Sequence, residues 1–459
     1  MLCITGVILF FSCNDDDPAD EKPAENYDPG YEDSYTDIAG IENSGLWGPY
    51  NLHDPSIVKF EDEYFIFSTD VMYGGTARAG IMRRKSEDLV KWFYKGWVFD
   101  AIPEEALQHI INQGQTASNI WAPYAYVRGN EIRLYYSVSV FGKSISAIGL
   151  ATSESPYGPW EDQGIVVSTI QGSYVNAIDP AVIVDEVSGR TWMCYGSYWS
   201  GIYIVELDPA TGKRLNSGDM GKKIAARTNY GSSIEGPEIL YNSELDKYFL
   251  FVSYGWLEDS YNVRVGHSDT PDGPFIDYFG NDMADAGENF PIITAQYSFK
   301  NHPGWQGFGH CGLLHSGDNY FYVSQARLSS NIYLMDLHVR RLLWTPEGWP
   351  VIAPERYVDI PQTGKTSGDL IGKWEYICLE KTESRNFSTS IILEEDGTID
   401  GLENSGWSYA NDVLELSLEG GTVTAKALLS DEWDWENDTL TICFSGLSNE
   451  GRSVWGKKI

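Results

Sequence analysis

The stretch "HDPSIVKFEDEYFIFST", residues 53–69, opens with an acid and a proline, alternates apolar and polar residues, turns, and returns as an aromatic-rich run. That is the pattern of a β-hairpin. It recurs as "IWAPYAYVRGNEIRLYYSVS" (120–139), "IDPAVIVDEVSGRTWMCYGSY" (178–198), "IEGPEILYNSELDKYFLFVSYG" (234–255) and "GHCGLLHSGDNYFYVSQAR" (309–327). The signatures stand about 55 to 75 residues apart, and further strand pairs such as "AIGLATSESPYGPWEDQG" (147–164) fill the intervals. Each repeat thus has room for four strands. Five such units set radially predict an all-β fold, a five-bladed β-propeller over residues 36–361.

Proline placement supports this arrangement. Pro55, Pro123, Pro180 and Pro237 begin the first strand of four of the five repeats. Proline cannot donate to a ladder, so it belongs on an edge or at a first position. The innermost strand of a blade is such an edge. Residues just before these prolines should therefore gather at one mouth of the central channel. Asp54 and Asp179 stand there, and Glu235 one glycine further back, which reads as a shared register. A lone Asp-Pro is ordinarily a turn former. Three acids in repeat register are another matter, because they would repel one another unless one keeps its proton. Glu238, three residues beyond Glu235, would point to the other face of a regular strand.

Composition narrows the ligand. The 459 residues carry a formal net charge of -34, which repels nucleic acid and anionic membrane surfaces and gives no support to a polyanionic substrate. Aromatic residues make up 14% of the chain. Most of them suit β cores, and the rest suit a neutral glycan.

The start, "MLCITGVILFFSC", has an apolar run too short to span a bilayer and of the right size for a signal segment. A small residue before Cys13, then the acidic, proline-rich "NDDDPADEKPAENYDPG", resembles a bacterial lipoprotein signal over residues 1–13 with a flexible tether over 14–35. No Lys or Arg precedes the apolar run. Cys13 is the expected lipidation site, which implies an extracytoplasmic protein anchored at the outer membrane or cell surface. The remaining cysteines, Cys194, Cys311, Cys378 and Cys443, show no zinc-site spacing. Buried free thiols are the plainer reading, with a Cys378–Cys443 pair as the alternative.

Residues 366–459 alternate apolar positions with Gly-rich turns, as in "STSIILEEDGTIDG", and predict a small antiparallel β-barrel or sandwich. The run "DEWDWEND" (431–438) suits either polysaccharide binding or a cover over the barrel or propeller.

The set "HDPS", "NAIDPAV" and "IEGPEI", with "WAPY", "YGSYWSG" and "GFGHCG", resembles glycoside hydrolase family 43, most of all its extracellular endo-α-1,5-L-arabinanases. The tail resembles the small β domain of the longer members. The resemblance implies hydrolysis of arabinan or arabino-oligosaccharides with inversion, by two carboxyl groups roughly 6.5–9.5 Å apart. Asp54 would be the general base, Glu235 the general acid, and Asp179 the group that tunes and orients the acid. It also implies one axial metal ion, calcium, reached by His310 and otherwise held by water. His53 reads as a strand-start residue, with a supporting partner of the site as the alternative. Trp121, Gly142, Asn176, Ser197, Tyr198 and Trp199 are the expected substrate contacts. The implied protein is a monomer without a nucleic-acid partner. Two rivals stand: an exo-acting arabinofuranosidase or xylosidase with the same acids, and a non-catalytic glycan-binding propeller, which would not need all three to be acidic.

Overall fold

The computed structural model describes residues 31–71, 77–185, 187–228, 232–285 and 287–459, so the expected signal and Cys13 lie outside the described residues. Four antiparallel sheets of four strands follow one another along the chain. Blade 1 is His53–Phe60, Glu63–Thr69, Ile81–Ser86 and Phe93–Trp97; blade 2 is Trp121–Arg128, Glu131–Ser139, Ser146–Ser153 and Glu161–Thr169. Blade 3 is Ala181–Val184, Thr191–Tyr195, Ile202–Leu207 and Lys222–Ala225; blade 4 is Ile234–Asn242, Lys247–Tyr254, Asn262–Ser268 and Ile292–Thr294.

The expected fifth blade is not another four-stranded sheet. Gly312–Ser316, Asn319–Leu328, Asn331–Trp344 and Pro350–Ile352 belong to a seven-stranded sheet that also takes in Tyr297–Ser298, Trp305–Gln306 and Asn386–Phe387. The propeller therefore has four blades, not five, and its fifth sequence repeat is built into a composite sheet. Strand length explains the difference. The strands 319–328 and 331–344 run 10 and 14 residues, so Asn319–Leu328 reaches past Gly312–Ser316 and pairs its far end with Trp305–Gln306. The hairpin signature is unchanged by such an extension, which is why the repeat alone predicted five equal units.

Apolar layers fill the spaces between successive sheets. Val58, Phe65 and Phe67 of blade 1 pack on Ala125, Leu134 and Tyr136 of blade 2, while Cys194 and Ile204 of blade 3 pack on Leu250 and Val252 of blade 4. Ile57 and Ile66 of blade 1 meet Phe321, Val323 and Val339 of the composite sheet, so the ring closes there. A Cβ on Gly312 would lie 2.6 Å from the Pro55 carbonyl oxygen, so these two inner strands approach as only glycine allows.

One backbone device recurs at the start of every inner strand. Asp54, Ala122, Asp179, Gly236 and His310 all have positive φ, at 51, 42, 58, 54 and 56°. In blades 1, 2 and 4 the ladder slips at this point: His53 pairs Thr69 and Ser56 pairs Phe67, Trp121 pairs Ser137 and Tyr124 pairs Tyr135, and Glu235 pairs Ser253 and Glu238 pairs Phe251. Three residues span two, which is a β-bulge. The proline lies inside the bulge, where no ladder bond is lost. Glu235 and Glu238 consequently face partner positions two apart, so they share a face, contrary to the expectation for a regular strand. The register also corrects the placement of Glu235: Gly236 occupies the position of Asp54 and Asp179, and Glu235 occupies that of His53 and Trp121.

The C-terminal domain is one eight-stranded antiparallel sheet, in spatial order Ile399–Asp400, Thr389–Leu393, Gly372–Cys378, Ser453–Lys458, Thr439–Ser448, Val423–Asp434, Val413–Leu418 and Gly406–Ala410. Its two edges touch through a bridge between Thr398 and Gly406, giving a nearly closed barrel around Trp374, Phe444, Leu414 and Leu416. The four cysteines of the described residues are free thiols. Trp435 of the "DEWDWEND" run stacks on Tyr31, lies 4.2 Å from the Arg356 guanidinium and donates its indole N–H to the Arg356 carbonyl. That ring covers the propeller rather than facing solvent as a sugar platform.

Candidate active site

The bulges set the site. At all five inner-strand starts, the three bulged ones included, a backbone N–H at the channel mouth donates to a side chain from another sheet: Gln325 Oε1 for Asp54 (3.0 Å), Thr69 Oγ1 for Ala122 (2.8 Å), Ser137 Oγ for Asp179 (3.2 Å), Asp179 Oδ2 for Gly236 (3.1 Å) and Ser253 Oγ for His310 (2.7 Å). The bonds run from sheet to sheet around the ring, so each acid is fixed relative to its neighbour. Three non-glycine side chains with chemistry, Asp54, Asp179 and His310, are held in left-handed backbone that costs about 1–3 kcal/mol each. Glycine is required at 236, since a Cβ there would sit 2.9 Å from the His310 ring.

One cavity of about 620 Å³ lies over these strand starts, and Asp54, Asp179, Glu235, Trp121, Gly142, Asn176, Ser197, Tyr198, Trp199 and His310 all line it. Asp54 is the most heavily braced. His53 Nδ1 lies 2.5 Å from its Oδ1, and Thr69 donates to Oδ2 at 2.7 Å while accepting from Ala122. His53 is thus a direct partner of the acid, not only a strand-start residue. Burial works against ionisation of Asp54, but His53, then His310 and the hydrogen bonds, hold the carboxyl well below the usual carboxylate range. Burial in turn lowers the pKa of His310, and the Asp54 charge opposes that shift.

The other two acids behave oppositely. Burial, and then the charges of Glu235 and Asp54, push Asp179 well above the carboxylate range against the pull of the Gly236 amide. Glu235 is pushed up to about 6 by burial and the Asp54 charge, while hydrogen bonds from Ser197 and Tyr261 resist. Ser197 Oγ donates to Glu235 Oε2 at 2.7 Å. A cavity with one carboxylate held ionised and a second poised near neutral has the makings of acid–base chemistry.

His310 Nδ1 is 3.2 Å from Asp54 Oδ1 and 4.0 Å from Asp179 Oδ2. A separate buried acidic cluster, able to coordinate a metal ion, lies outside the cavity: oxygens of Glu355, Asp434 and Glu436 fall within 4.8 Å of one another. Lys457 Nζ sits among them at 3.0, 2.9 and 2.5 Å.

Sequence reasoning passed over Thr69, Phe141, Trp256, Tyr261 and Arg327, which also line the cavity. Thr69 and Arg327 lie at or near the ends of second strands and Tyr261 just before a third, away from the acid–proline signature. Phe141 was legible as an aromatic within the "VFGKS" turn beside Gly142.

Comparison with known proteins gives the chain its relatives. Residues 48–350 match Glycosyl hydrolases family 43, and residues 354–456 match a C-terminal lipocalin-like domain described for that family. An extracellular endo-α-(1→5)-L-arabinanase of Thermotoga petrophila is 30% identical over 89% of this chain and 93% of its own length. Extracellular endo-α-(1→5)-L-arabinanase 2 of Bacillus subtilis is 27% identical over the same shares of the two chains. The crystal structure of endo-1,5-α-L-arabinanase from Thermotoga petrophila superposes with a TM-score of 0.80 at 29% identity, covering 90% of this chain and 99% of that one. With a family match over most of its length and three acids lining one cavity, the chain belongs to glycosyl hydrolase family 43.

Proposed function

We propose that this hydrolase cleaves internal α-1,5-L-arabinofuranosidic bonds of arabinan with inversion. The observation that carries the reading is the split among the cavity acids: Asp54 held ionised, Glu235 raised to about 6. Asp54 is the general base that takes a proton from the attacking water. Glu235 is the general acid that protonates the leaving oxygen, since only a carboxyl with a raised pKa keeps its proton for that task. Asp179 orients the acid through the Gly236 amide it accepts from. Kept protonated, it also adds no second charge beside Glu235, which would otherwise climb further. Likeness over nearly the full length to two-domain enzymes named as endo-acting favours endo over exo cleavage.

His310 would fit the expected calcium as a single ligand: its imidazole lines the cavity, and burial lowers its pKa, which favours the neutral form whose lone pair coordinates. The oxygens nearest it belong to Asp54 and Asp179, so water would supply most of the shell that a hard cation demands. When bound, such an ion supplies positive potential beneath the acids. Dialysis against a chelator should lower both activity and melting temperature, with calcium restoring them.

The relatives are named as extracellular enzymes, which supports a location outside the cytoplasm, and lipidation at Cys13 would tether the protein there. Cys13→Ser should then move the protein from the membrane fraction to the soluble one. The decisive experiment is a product time course on linear arabinan followed by proton NMR. A ladder of oligosaccharides whose new reducing ends appear first as the β-anomer is expected. Arabinose alone would mean exo attack, and a first α-anomer would exclude inversion.

A further inference from the structure

Two exposed aromatic side chains face each other over the cavity. Phe141 is 70% exposed and Trp256 41%, yet their ring centroids lie 6.5 Å apart, edge to face at 82°. Phe141 follows the second strand of blade 2 and Trp256 the second strand of blade 4, with blade 3 between them in the chain. Trp121, at the start of blade 2, continues the row, 6.4 Å from Phe141. All three rings line the cavity that holds the acids.

The supports of this row are built, while its centre is bare. Lys143, two residues beyond Phe141, donates to Gln115 at 2.7 Å. On the other side Trp256 N–H donates to Ser260 Oγ at 2.9 Å, Arg327 Nε to the Leu257 carbonyl at 3.1 Å, and Gln306 Nε2 to the Glu258 carbonyl at 2.6 Å. Both loops are thus held from below while the rings meet in solvent. Apolar surface left exposed at the rim of a polar cavity marks a ligand contact.

We propose that Phe141 and Trp256 form an arch across the cleft that selects unbranched furanoside chains. The proposal rests on the arabinan reading above. Rings in edge-to-face contact leave no slot between them. A chain bound over the acids therefore passes beneath the arch. An α-1,5 backbone is one sugar wide, with its O2 and O3 free. A sugar carried on either oxygen widens the chain by a whole residue, and the arch must then part to admit it. Shortening either side chain opens the same gap, so the two substitutions should not add.

The test is kcat/KM of the wild type, Phe141→Ala, Trp256→Ala and the double variant on debranched and on branched arabinan. Both residues are exposed, so the variants should fold, and melting temperature checks this. Expected is a wild type that prefers the debranched polymer, a preference cut about tenfold by either substitution, and no further fall in the double variant. Trp256→Phe should retain most of it. An active wild type whose preference is unmoved in both alanine variants overturns the arch and leaves the arabinan reading standing. A wild type inactive on both polymers overturns that reading and the proposed selectivity with it.

Discussion

Among the described residues two sets of three carboxyl groups are drawn together, and they solve the same electrostatic problem in different ways. Glu355, Asp434 and Glu436, between the propeller and the C-terminal barrel, surround the ammonium of Lys457, itself only 1% exposed. Burial lowers that amine, but the three carboxylates together raise it above the ordinary lysine value, so it stays charged. Among the described residues, Asp54, Asp179 and Glu235 have no lysine or arginine as a hydrogen-bonding or ion-pair partner. There the strain is relieved by imidazole on Asp54 and by retained protons on the other two. A fixed cation makes a staple. A proton that can leave makes a catalyst.

The largest effect should come from breaking the second set where its proton is used. Glu235→Ala is expected to lower kcat on linear arabinan by about 10²–10⁴-fold, the range for losing a general acid, with an unchanged circular dichroism spectrum. Near-full activity in a folded variant would end the assignment of Glu235 as the acid.

Removing the cation of the first set should cost stability instead. Lys457→Met leaves three carboxyl groups without their counter-charge and is expected to destabilise by about 3–5 kcal/mol, read as a fall in the denaturant midpoint. The sign of its pH dependence follows. Orphaned carboxyl groups have folded pKa values above their unfolded ones, so stability is fullest below the unfolded value and is lost as pH rises through the folded one. The deficit should therefore be smaller at pH 5 than at pH 8.

How much of this contrast the sequence carried differs between the two sets. Asp54 and Asp179 were legible because the Asp-Pro step recurs in register, and His310 because it opens the fifth repeat. Glu235 was found for an inexact reason: the bulge adds Gly236 to the ladder, so the acid stands where blade 1 has His53 and blade 2 has Trp121. Bulges leave no mark in alternation patterns. Glu355, Asp434, Glu436 and Lys457 were not legible, since they meet only when the last strand of the barrel packs on the segment after the composite sheet. The five-unit count failed for a related reason, because hydrogen bonds beyond a hairpin's own span decide which sheet a strand joins.

A smaller, graded effect should appear in the pH profile of the active enzyme. With Glu235 at about 6 and Asp54 held low, the proposed roles require a competent form with Asp54 ionised and Glu235 protonated. The alkaline limb of log kcat/KM should bend near pH 6 and then fall about tenfold per unit. Ser197→Ala removes a hydrogen bond that favours the charged form of Glu235, so it should move that bend upward.

The smallest effect isolates a third way of burying an acid. Glu238 shares a face with Glu235 because of the bulge and is buried; the Tyr124 hydroxyl influences it but donates to the Val182 carbonyl at 2.9 Å, and among the described residues neither a cation nor an imidazole acts on it. Burial raises its pKa well above the carboxylate range, and the Tyr124 hydroxyl only partly opposes this. Its stabilising proton is bound below the unfolded value, about 4.3, and is lost as pH rises through the higher folded value. Glutamine reproduces the neutral acid in shape and cannot lose a proton. Glu238→Gln should therefore change stability by about 1 kcal/mol or less at pH 5 and become the more stable protein at alkaline pH. Melting curves of both proteins from pH 5 to 9 measure the difference, and parallel curves across that range would mean that Glu238 is ionised in the fold, held by a charge partner as the Lys457 cluster is.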